Sequence, residues 1–533
     1  MKNSLFFFLT ISILLVLGCS SSDDQTDPDI PEVDTTAPTI SINGLSDTLE
    51  TLSTITISIS DVSETVSSSI TLNGNEILSS TEKQFSLEID PFDFPNGNTT
   101  LVVTSTDANN NEGMESVSFE LRRLLFRIAA PFFPANNQVY FSANALDGSL
   151  LGTTQVTTPR DIVNVYAEEE IPRQQLVVTS YVLQPDFAFQ TLNSIANIES
   201  GTDLVVLQEA AGIANINTFM PGMPGPNLNI TINDIPDEDL ALSVYAAGVD
   251  YFGNNPSASM INPMDYSSAL TLRREEEVLS PFIYTSSIFN LNGIIIDLDD
   301  YRYTFLDELT DKTLSFSDFM SPTETQTIAI PSITNAYSLS LFGFENQNQY
   351  DNGLFRTIYD TRSTFSSSSQ TFSGITLPII DAFDIVSTSI FLGFDDERTM
   401  NIATRGLKDI TIPNWTAVPE NNEIVTSGDY NIYGIELSAN GIDNTTLFWS
   451  YTGSSQERIS LPFETFELPA AVAETTRIQN IDFGSLHTNS NITIGLIGFE
   501  QDATYEEMIF QPFVLGGLGD RTTLRFPVND TTN

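Results

Sequence analysis

The two residue types that carry out most acid–base and metal chemistry near neutral pH are almost missing from this chain. Its 533 residues include one cysteine, Cys19, and one histidine, His487. Imidazole and thiolate groups serve as general bases, nucleophiles and zinc ligands. A Cys/His zinc site and a thiol nucleophile are therefore effectively excluded, and a serine triad would depend on His487. That residue lies in the polar stretch Gly-Ser-Leu-His-Thr-Asn, so we expect it in a surface loop and assign no catalytic residue.

Carboxylates are the remaining candidates for chemistry, because 70 residues are acidic. Asp297, Asp299 and Asp300 place three of them within four positions, and residues 395–397 form a second acidic cluster. Calcium binds six to eight oxygen atoms, so the first cluster is a candidate Ca²⁺ site. Neither cluster has the spacing of a known calcium-binding loop, and a solvated acidic loop is the competing interpretation. We predict no other cofactor.

Aromatic side chains could bind sugars, because glycan sites usually present flat aromatic platforms. The chain has 36 Phe and 16 Tyr but only two Trp. Trp415 and Trp449 are therefore the candidate glycan-binding residues. Packing in a hydrophobic core, or half-buried beside one, is the alternative for both side chains.

The charge balance limits the partners of this protein. There are 70 acidic and 20 basic residues, which give a net charge of −50, and the acidic residues are spread over the whole chain. Nucleic acids and anionic membrane surfaces bind Lys/Arg patches. We therefore predict no nucleic-acid partner and no binding of an anionic membrane surface through charge.

The first residues have the parts of a bacterial export signal. Lys2 precedes an apolar run from Leu5 to Leu17, which is short for a membrane span and typical of the apolar core of a signal peptide. The run ends in Val-Leu-Gly-Cys at Cys19, which resembles the lipobox of bacterial lipoproteins. That resemblance implies removal of residues 1–18 and acylation of Cys19, with chains such as palmitate inserted in the outer membrane.

Acidic residues follow directly after the cysteine. Ser22, Asp23 and Asp24 resemble the surface-export signal of Bacteroidota lipoproteins, which implies display on the outside of the cell. Residues 19–36 have no periodic apolar pattern and are rich in Ser, Asp, Thr and Pro. Such composition predicts a disordered acidic tether, and a linker that is acidic by chance is the alternative to the export signal.

Residues 37–122 consist of short alternating runs separated by turn signals. The run from Thr54 to Asp61 alternates between apolar and polar residues, and Asn73-Gly74 is a hairpin-turn signal. Six or seven strands in about 85 residues predict an antiparallel β-sandwich.

This segment also resembles the bacterial immunoglobulin-like modules of surface proteins. The resemblance rests on Ala37-Pro-Thr-Ile at its start, on Asp61 after the second strand, on the Asn-Gly hairpin and on the segment Thr104–Asn111. It implies a spacer or adhesion-type module. Related sandwich domains sometimes bind calcium where Asp61 and Asp107 lie, although turn chemistry accounts for such aspartates as well.

The remaining chain is β-rich, and we divide it into domains at 123–330 and 331–533. A motif of two apolar residues, Gly, Phe and an acid recurs at Leu341–Glu345, Phe391–Asp395 and Leu496–Glu500. A period near 50 residues is typical of propeller blades or stacked modules, and coincidence is the alternative. We predict an all-β protein, in which an N-terminal immunoglobulin-like β-sandwich precedes a larger β-rich ectodomain of stacked β-sandwich modules or propeller-like repeats.

Together these features predict a lipid-anchored cell-surface protein with a non-enzymatic ectodomain for glycan or nutrient capture, or for adhesion to a surface protein. The alternative is a carboxylate-dependent glycan-degrading enzyme on the same anchor, because glycosidases need only two carboxylates. A cleft with two facing carboxylates would favour the enzyme. A shallow aromatic-lined face would favour glycan binding.

Overall fold

A computed structural model describes most of the chain after residue 33. The described residues are 34–62, 65–131, 133–134, 136–184, 188–210, 227–234, 242–246, 248, 251–253, 265–272, 279–289, 295–296, 298, 301–308, 310–365, 372–420, 423–441, 444–460, 463, 465–483, 486, 490–500, 504–510 and 520–528. They fall into two compact units. The first unit contains residues 34–47, 53–89 and 98–119, and the second contains residues 48–52, 90–97 and those from 120 onward.

Strands dominate the described chain, and no described helix is long and apolar enough to cross a membrane. The helices are Leu204–Ala210 (α1), Gln347–Asp351 (α2), Ala470–Ala473 (α3), Thr476–Gln479 (α4) and Tyr505–Phe510 (α5), with 3₁₀ turns at Pro91–Asp93 and Phe316–Asp318. The predicted all-β class is confirmed.

The first unit is the predicted immunoglobulin-like β-sandwich. The first eight strands of the chain are Thr39–Asn43 (β1), Thr48–Leu49 (β2), Ser53–Ser60 (β3), Thr65–Leu72 (β4), Asn75–Ser80 (β5), Gln84–Ile89 (β6), Gly97–Asp107 (β7) and Glu112–Leu121 (β8). One sheet has the order β1-β3-β6, and the other contains β5, β4, β7 and β8. In β3 the alternation places Ile55 and Ile57 in the core, fully buried.

The Asn-Gly signal forms the turn that the sequence predicts. Asn73 and Gly74 join β4 to β5 and have φ values of 49° and 82°. Two positive φ angles in a two-residue hairpin match the right-handed twist of the flanking strands, and Asn followed by Gly adopts them at low cost.

The second unit contains β2 and the strands that follow β8. Those before residue 300 are Leu124–Ala129 (β9), Gln138–Ala145 (β10), Leu150–Val156 (β11), Ile162–Tyr166 (β12), Gln175–Leu183 (β13), Phe189–Glu199 (β14), Thr202–Asp203 (β15), Asn227–Asn233 (β16), Leu242–Tyr245 (β17), Tyr251–Gly253 (β18), Asp265–Leu272 (β19), Phe282–Phe289 (β20) and Ile295–Ile296 (β21). Those after it are Arg302–Phe305 (β22), Lys312–Ser315 (β23), Glu324–Phe344 (β24), Arg356–Phe365 (β25), Phe372–Ile379 (β26), Ile385–Phe394 (β27), Thr399–Arg405 (β28), Thr416–Glu420 (β29), Glu423–Ser427 (β30), Ile432–Asn440 (β31), Thr446–Ser454 (β32), Arg458–Ser460 (β33), Ser490–Phe499 (β34) and Arg521–Val528 (β35).

A 13-stranded sheet organises this unit. Its order is β11-β10-β13-β14-β32-β31-β34-β35-β28-β27-β24-β25, with β26 also paired to β24. Neighbouring strands are antiparallel except β14 and β32, which run parallel with Leu192 opposite Trp449. Smaller sheets, among them β17-β20-β21 with β22, and β29-β30-β33, supply further strands.

Alternation along each strand gives the large sheet two different faces. The core face carries Leu192, Trp449, Leu437 and Ile492 in register, and all four belong to the main hydrophobic core. The opposite side, called the outer face here, carries Phe189, Phe448, Glu436 and Arg525, which are exposed or half-buried. At the β10–β13 end this face is covered, because Val139 and Val178 pack there with Phe126 of β9 and Leu204 of α1.

One predicted domain boundary differs from this architecture. The predicted boundary at residue 330 lies inside β24, and strands from both predicted domains share the large sheet. The recurring Gly-Phe-acid motif lies at the ends of β24, β27 and β34, all within that sheet. The three copies of the motif therefore lie on strands of one sheet.

Candidate binding face of the large sheet

The structure buries one of the two candidate glycan-binding tryptophans and leaves the other half-buried. Trp449 is 1% exposed, and its indole Nε1 donates to Ser194 Oγ at 2.9 Å. The rings of Phe463 and Phe466 pack against it with centroids at 4.7 and 5.0 Å. Trp449 therefore offers no surface to a ligand, and its role is packing. Trp415 is half-buried beside the same core.

Several predicted residues lie outside the described part of the chain. These are the lipidation residue Cys19, the export residues Ser22, Asp23 and Asp24, the candidate calcium ligands Asp297, Asp299 and Asp300, and His487. The acidic cluster at residues 395–397 is described and forms the turn between β27 and β28.

One carboxylate of that turn is paired with a neighbouring arginine. The Asp396 carboxylate accepts from Arg398 Nε at 2.8 Å and lies 2.7 Å from Nη2 of the same guanidinium. The hydrogen bond from Arg398 holds the pKa of Asp396 below its usual value. A carboxylate already paired in this way is an ordinary surface turn residue, as the competing interpretation predicts.

An exposed aromatic pair lies on the outer face of the large sheet. Phe189 of β14 and Phe448 of β32 stack with ring centroids 5.9 Å apart and planes inclined by 28°. They are 53% and 44% exposed. The parallel register explains the contact, because Phe448 is opposite Thr191 and therefore diagonal to Phe189. Large exposed apolar side chains that sit together mark interaction surfaces more often than isolated ones.

Small polar side chains surround this aromatic pair. Ser438 of β31 lies opposite Phe448, Ser450 lies opposite Asn193, and Thr446 lies opposite Phe189. The combination of an apolar ring surface with hydroxyl and amide groups suits a ligand that has both apolar ring faces and hydroxyl groups. Sugars have this composition.

A groove lies farther along the same strands on the outer face. It has a volume of about 240 Å³, and the residues that line it include Gly434, Glu436 and Thr452. Thr452 follows Phe448 by four positions on β32, so the groove floor begins roughly 13 Å from the aromatic pair. Ser450, two positions after Phe448 on the same face of β32, also lines the groove, so the aromatic pair and the groove are neighbours on the outer face.

A separate carboxylate cluster lies in the first unit. Asp34, Asp61 and Asp107 each provide an oxygen atom, and these oxygens lie within 4.8 Å of one another. Asp107 is 1% exposed, and its Oδ1 accepts from the backbone N–H groups of Asn109 and Asn111 at 2.8 Å. These bonds are the turn chemistry expected of Asp107. Three close carboxylates also form the oxygen-rich set that a hard cation such as Ca²⁺ prefers.

Sequence reasoning missed both phenylalanines of the aromatic pair. The segment Leu447-Phe448-Trp449-Ser450 alternates, so Phe448 and Trp449 must point to opposite faces of the sheet. That rule alone does not say which face is covered. The register with β14 would be needed to bring Phe189 next to Phe448, and it joins positions 259 residues apart in the sequence.

No family model and no curated protein matches this sequence. Solved structures that resemble it include the fibronectin(III)-like modules of Clostridium thermocellum CbhA, with 10% identity, 31% of this chain and 95% of that chain covered, and a TM-score of 0.16. A second is the surface protein SGBP-B of the Bacteroides ovatus mixed-linkage glucan utilization locus in complex with a heptasaccharide, with 11% identity, 65% and 93% covered, and a TM-score of 0.14. A third is a Ca²⁺-stabilized ice-binding adhesin of an Antarctic bacterium, with 9% identity, 88% and 96% covered, and a TM-score of 0.15. TM-scores this low carry no functional information.

Proposed function

We propose that this chain is a lipid-anchored surface protein that binds glycans without cleaving them, and that the outer face of its large sheet is the binding surface. The observation that carries the proposal is the stacked, exposed pair Phe189 and Phe448. The ring surfaces stack against the apolar faces of sugar rings, while the flanking hydroxyl groups of Ser438 and Ser450 donate to and accept from sugar hydroxyls.

The number and pairing of the carboxylates near this surface favour glycan binding over glycan hydrolysis as the function. Glycosidases place two carboxyl groups on either side of the scissile bond, about 5–10 Å apart. The groove beside the aromatic pair has one carboxylate in its described lining, Glu436. Its Oε1 lies 3.1 Å from Arg525 Nη2, which leaves it engaged in an ion pair. The proposal therefore assigns no catalytic residue.

Attachment and display are supported by the sequence. The lipobox at Cys19 supplies the anchor, and Ser22, Asp23 and Asp24 supply the export signal. Acyl chains bind a membrane through about 0.8 kcal/mol for each buried CH₂ group. The outer membrane is thus the proposed location, with the glycan-binding unit outside the cell.

Removing both rings of the aromatic pair is expected to abolish glycan binding. The double variant Phe189→Ser, Phe448→Ser loses the ring surface but keeps a polar strand surface, so the fold should persist. We expect at least a tenfold loss of retention for the polysaccharides that the full-length protein binds. Affinity electrophoresis over a panel of neutral and acidic polysaccharides measures this retention.

The matched control is Val418→Ser, which removes another exposed apolar side chain, 56% exposed on β29. This control should be retained by each polysaccharide to the same extent as the parent. If the double variant binds every polysaccharide as well as the parent does, the aromatic pair is not the binding surface. If the parent binds none of the panel, the proposed function is wrong.

We also propose that the carboxylate cluster of the first unit binds Ca²⁺. Mutual repulsion of the Asp34, Asp61 and Asp107 carboxylates would be relieved by a divalent cation between them. Extracellular modules bind calcium with dissociation constants of about 10⁻⁴–10⁻³ M. At about 10 mM Ca²⁺ such binding stabilises the folded unit by about 1.4–2.7 kcal/mol.

Calcium is therefore expected to raise the unfolding temperature of the first unit by several degrees. Asp61→Asn should remove most of that increase, because it takes away one charged ligand while keeping the shape of the side chain. Calorimetry of the full-length protein with Ca²⁺ and with EDTA measures the difference. Glu82→Gln, an exposed change in the same unit, should leave the increase intact. If the parent unfolds at the same temperature in Ca²⁺ and in EDTA, the calcium site is contradicted.

A further inference from the structure

Two glycines form the floor of the groove on the outer face. Gly434 of β31 and Gly495 of β34 are directly opposite each other, with Thr452 and Arg525 as the next residues across the sheet. Adjacent positions without side chains leave the backbone of two neighbouring strands accessible. The groove exists at this place because neither glycine has a side chain to fill it.

Neither packing nor backbone geometry requires glycine at position 434. The residue lies within an extended strand, and a Cβ atom built there meets no atom within 4 Å. Glycine inside a strand costs about 0.5–1 kcal/mol relative to alanine. A strand glycine that the fold does not need marks a place where a ligand approaches the backbone closely. Gly434 therefore points to a ligand that lies on the sheet.

The groove is apolar at one end and charged beside its floor. Ile432, Ile497 and Met508 form a small hydrophobic cluster at the apolar end, against which Phe499 packs. Arg525 lies across the sheet from Gly495, and Arg521 lies opposite Phe499 at the apolar end. A volume of about 240 Å³ is smaller than the ~300–1,000 Å³ of pockets for drug-sized ligands. The groove therefore suits a single ring-sized group.

Two arginines line this groove. Arg521 and Arg525 are four positions apart on β35, so both belong to the outer face. Burial lowers the pKa of Arg521, and the nearby charge of Arg525 lowers it further. An anion bound between the two guanidinium groups would relieve both effects, since guanidinium groups bind carboxylate and sulfate oxygens through paired N–H donors.

We propose that the groove binds one anionic sugar unit, with its ring on the Gly434–Gly495 floor and its acidic group between Arg521 and Arg525. This inference rests on the proposed glycan-binding function and names the class of sugar. Ser450 and Thr452 line the same groove and bind the sugar hydroxyls. Glu436 stays paired with Arg525, with Oε1 3.1 Å from Nη2, so the groove keeps one net positive charge for the acidic group. The acidic group is a carboxylate, as in a uronic acid, or a sulfate ester, which offers the same oxygen chemistry.

The net charge of −50 favours a glycan ligand with isolated acidic sugars over a polyanionic ligand. At physiological salt, charges more than about 8 Å away are largely screened. A single anionic group therefore responds mainly to the two arginines and to Glu436. A polymer with a charge on every unit would extend over the acidic surface and be repelled. The ligand is thus a mainly neutral glycan with isolated acidic units.

Monosaccharide binding tests the groove directly. The full-length protein in mild detergent is titrated with D-glucuronate and galactose 6-sulfate, and with glucose and galactose as neutral partners, by ligand-observed NMR. We expect one acidic sugar to bind at least tenfold more tightly than its neutral partner, and the better of the two identifies the acidic group. Arg521→Gln with Arg525→Gln should remove this preference. The control Arg458→Gln removes an exposed arginine from β33 and should retain it.

The glycine floor provides a second variant that separates binding from folding. Gly434→Val places a β-branched side chain in open space, so the unfolding temperature should stay equal or rise. The same change should block the groove and lower acidic-sugar binding at least tenfold. Unchanged binding in Gly434→Val, or equal affinity for acidic and neutral sugars, overturns the proposal. Binding of acetate or sulfate ion that is as tight as binding of the acidic sugar also overturns the proposal.

This test gives a result independent of the proposed function. If polysaccharide capture requires Phe189 and Phe448 but acidic monosaccharides do not bind, the inference about the groove is wrong and the proposed function stands. If acidic monosaccharides bind in the groove but no polysaccharide is retained, the proposed function is wrong and the inference about the groove stands.

Discussion

Replacing Trp449 by alanine is expected to lower the free energy of unfolding of the second unit by about 3–5 kcal/mol, the usual cost of truncating a buried Trp or Phe. The side chain is the largest of those that are fully buried in the described chain. It contacts three rings, Phe463, Phe466 and Phe483, and its indole donates to Ser194. Alanine would leave a cavity between the large sheet and the residues packed on its core face.

Urea titration followed by circular dichroism measures this loss, because the variant retains only one tryptophan for fluorescence. Phe448→Ala is the matched control on the same strand, since it removes an aromatic side chain from the outer face. Its cost should stay below about 1 kcal/mol, as for most exposed positions. Equal costs for the two variants would contradict the assignment of the two faces.

Replacing Cys19 by alanine is expected to remove the protein from the membrane fraction, or to leave it as an unprocessed precursor. Without the thiol no acyl chain can be attached, and the hydrophobic free energy of the anchor is lost. A single acyl chain binds a membrane only marginally, whereas two or more give stable attachment. The effect should therefore be nearly complete.

Fractionation, the size of the mature chain and labelling with an alkynyl fatty acid together measure this outcome. Ser20→Ala is the control, because it changes the neighbouring residue and keeps the cysteine. Fatty-acid labelling and membrane recovery of Cys19→Ala at the level of the parent would show that the anchor lies elsewhere.

Local patterns were sufficient for part of this molecule. The alternation of β3 and the Asn73-Gly74 turn predict the first unit well, because strand alternation and hairpin turns depend on residues close in sequence. The same local rules predicted the all-β class. The scarcity of histidine and cysteine follows from composition, and it limits the chemistry of any arrangement that the fold can make.

Tertiary structure decided which residues became surface and which became core. Phe448 and Trp449 are neighbours in sequence and both are aromatic. Which of the two rings is buried depends on which face of the large sheet the rest of the unit covers. The sequence alone left both a ligand platform and core packing open for Trp449, whereas the fold buries it and exposes Phe448.

Long-range register decided the candidate site. Phe189 meets Phe448 only because β14 runs parallel to β32, and Gly434 meets Gly495 only because β31 pairs with β34. In each pair the two strands are distant in sequence, and their pairing depends on closing long loops and packing a shared core. The lipidation signal could be read from adjacent residues, whereas the binding face exists only once these strands are aligned.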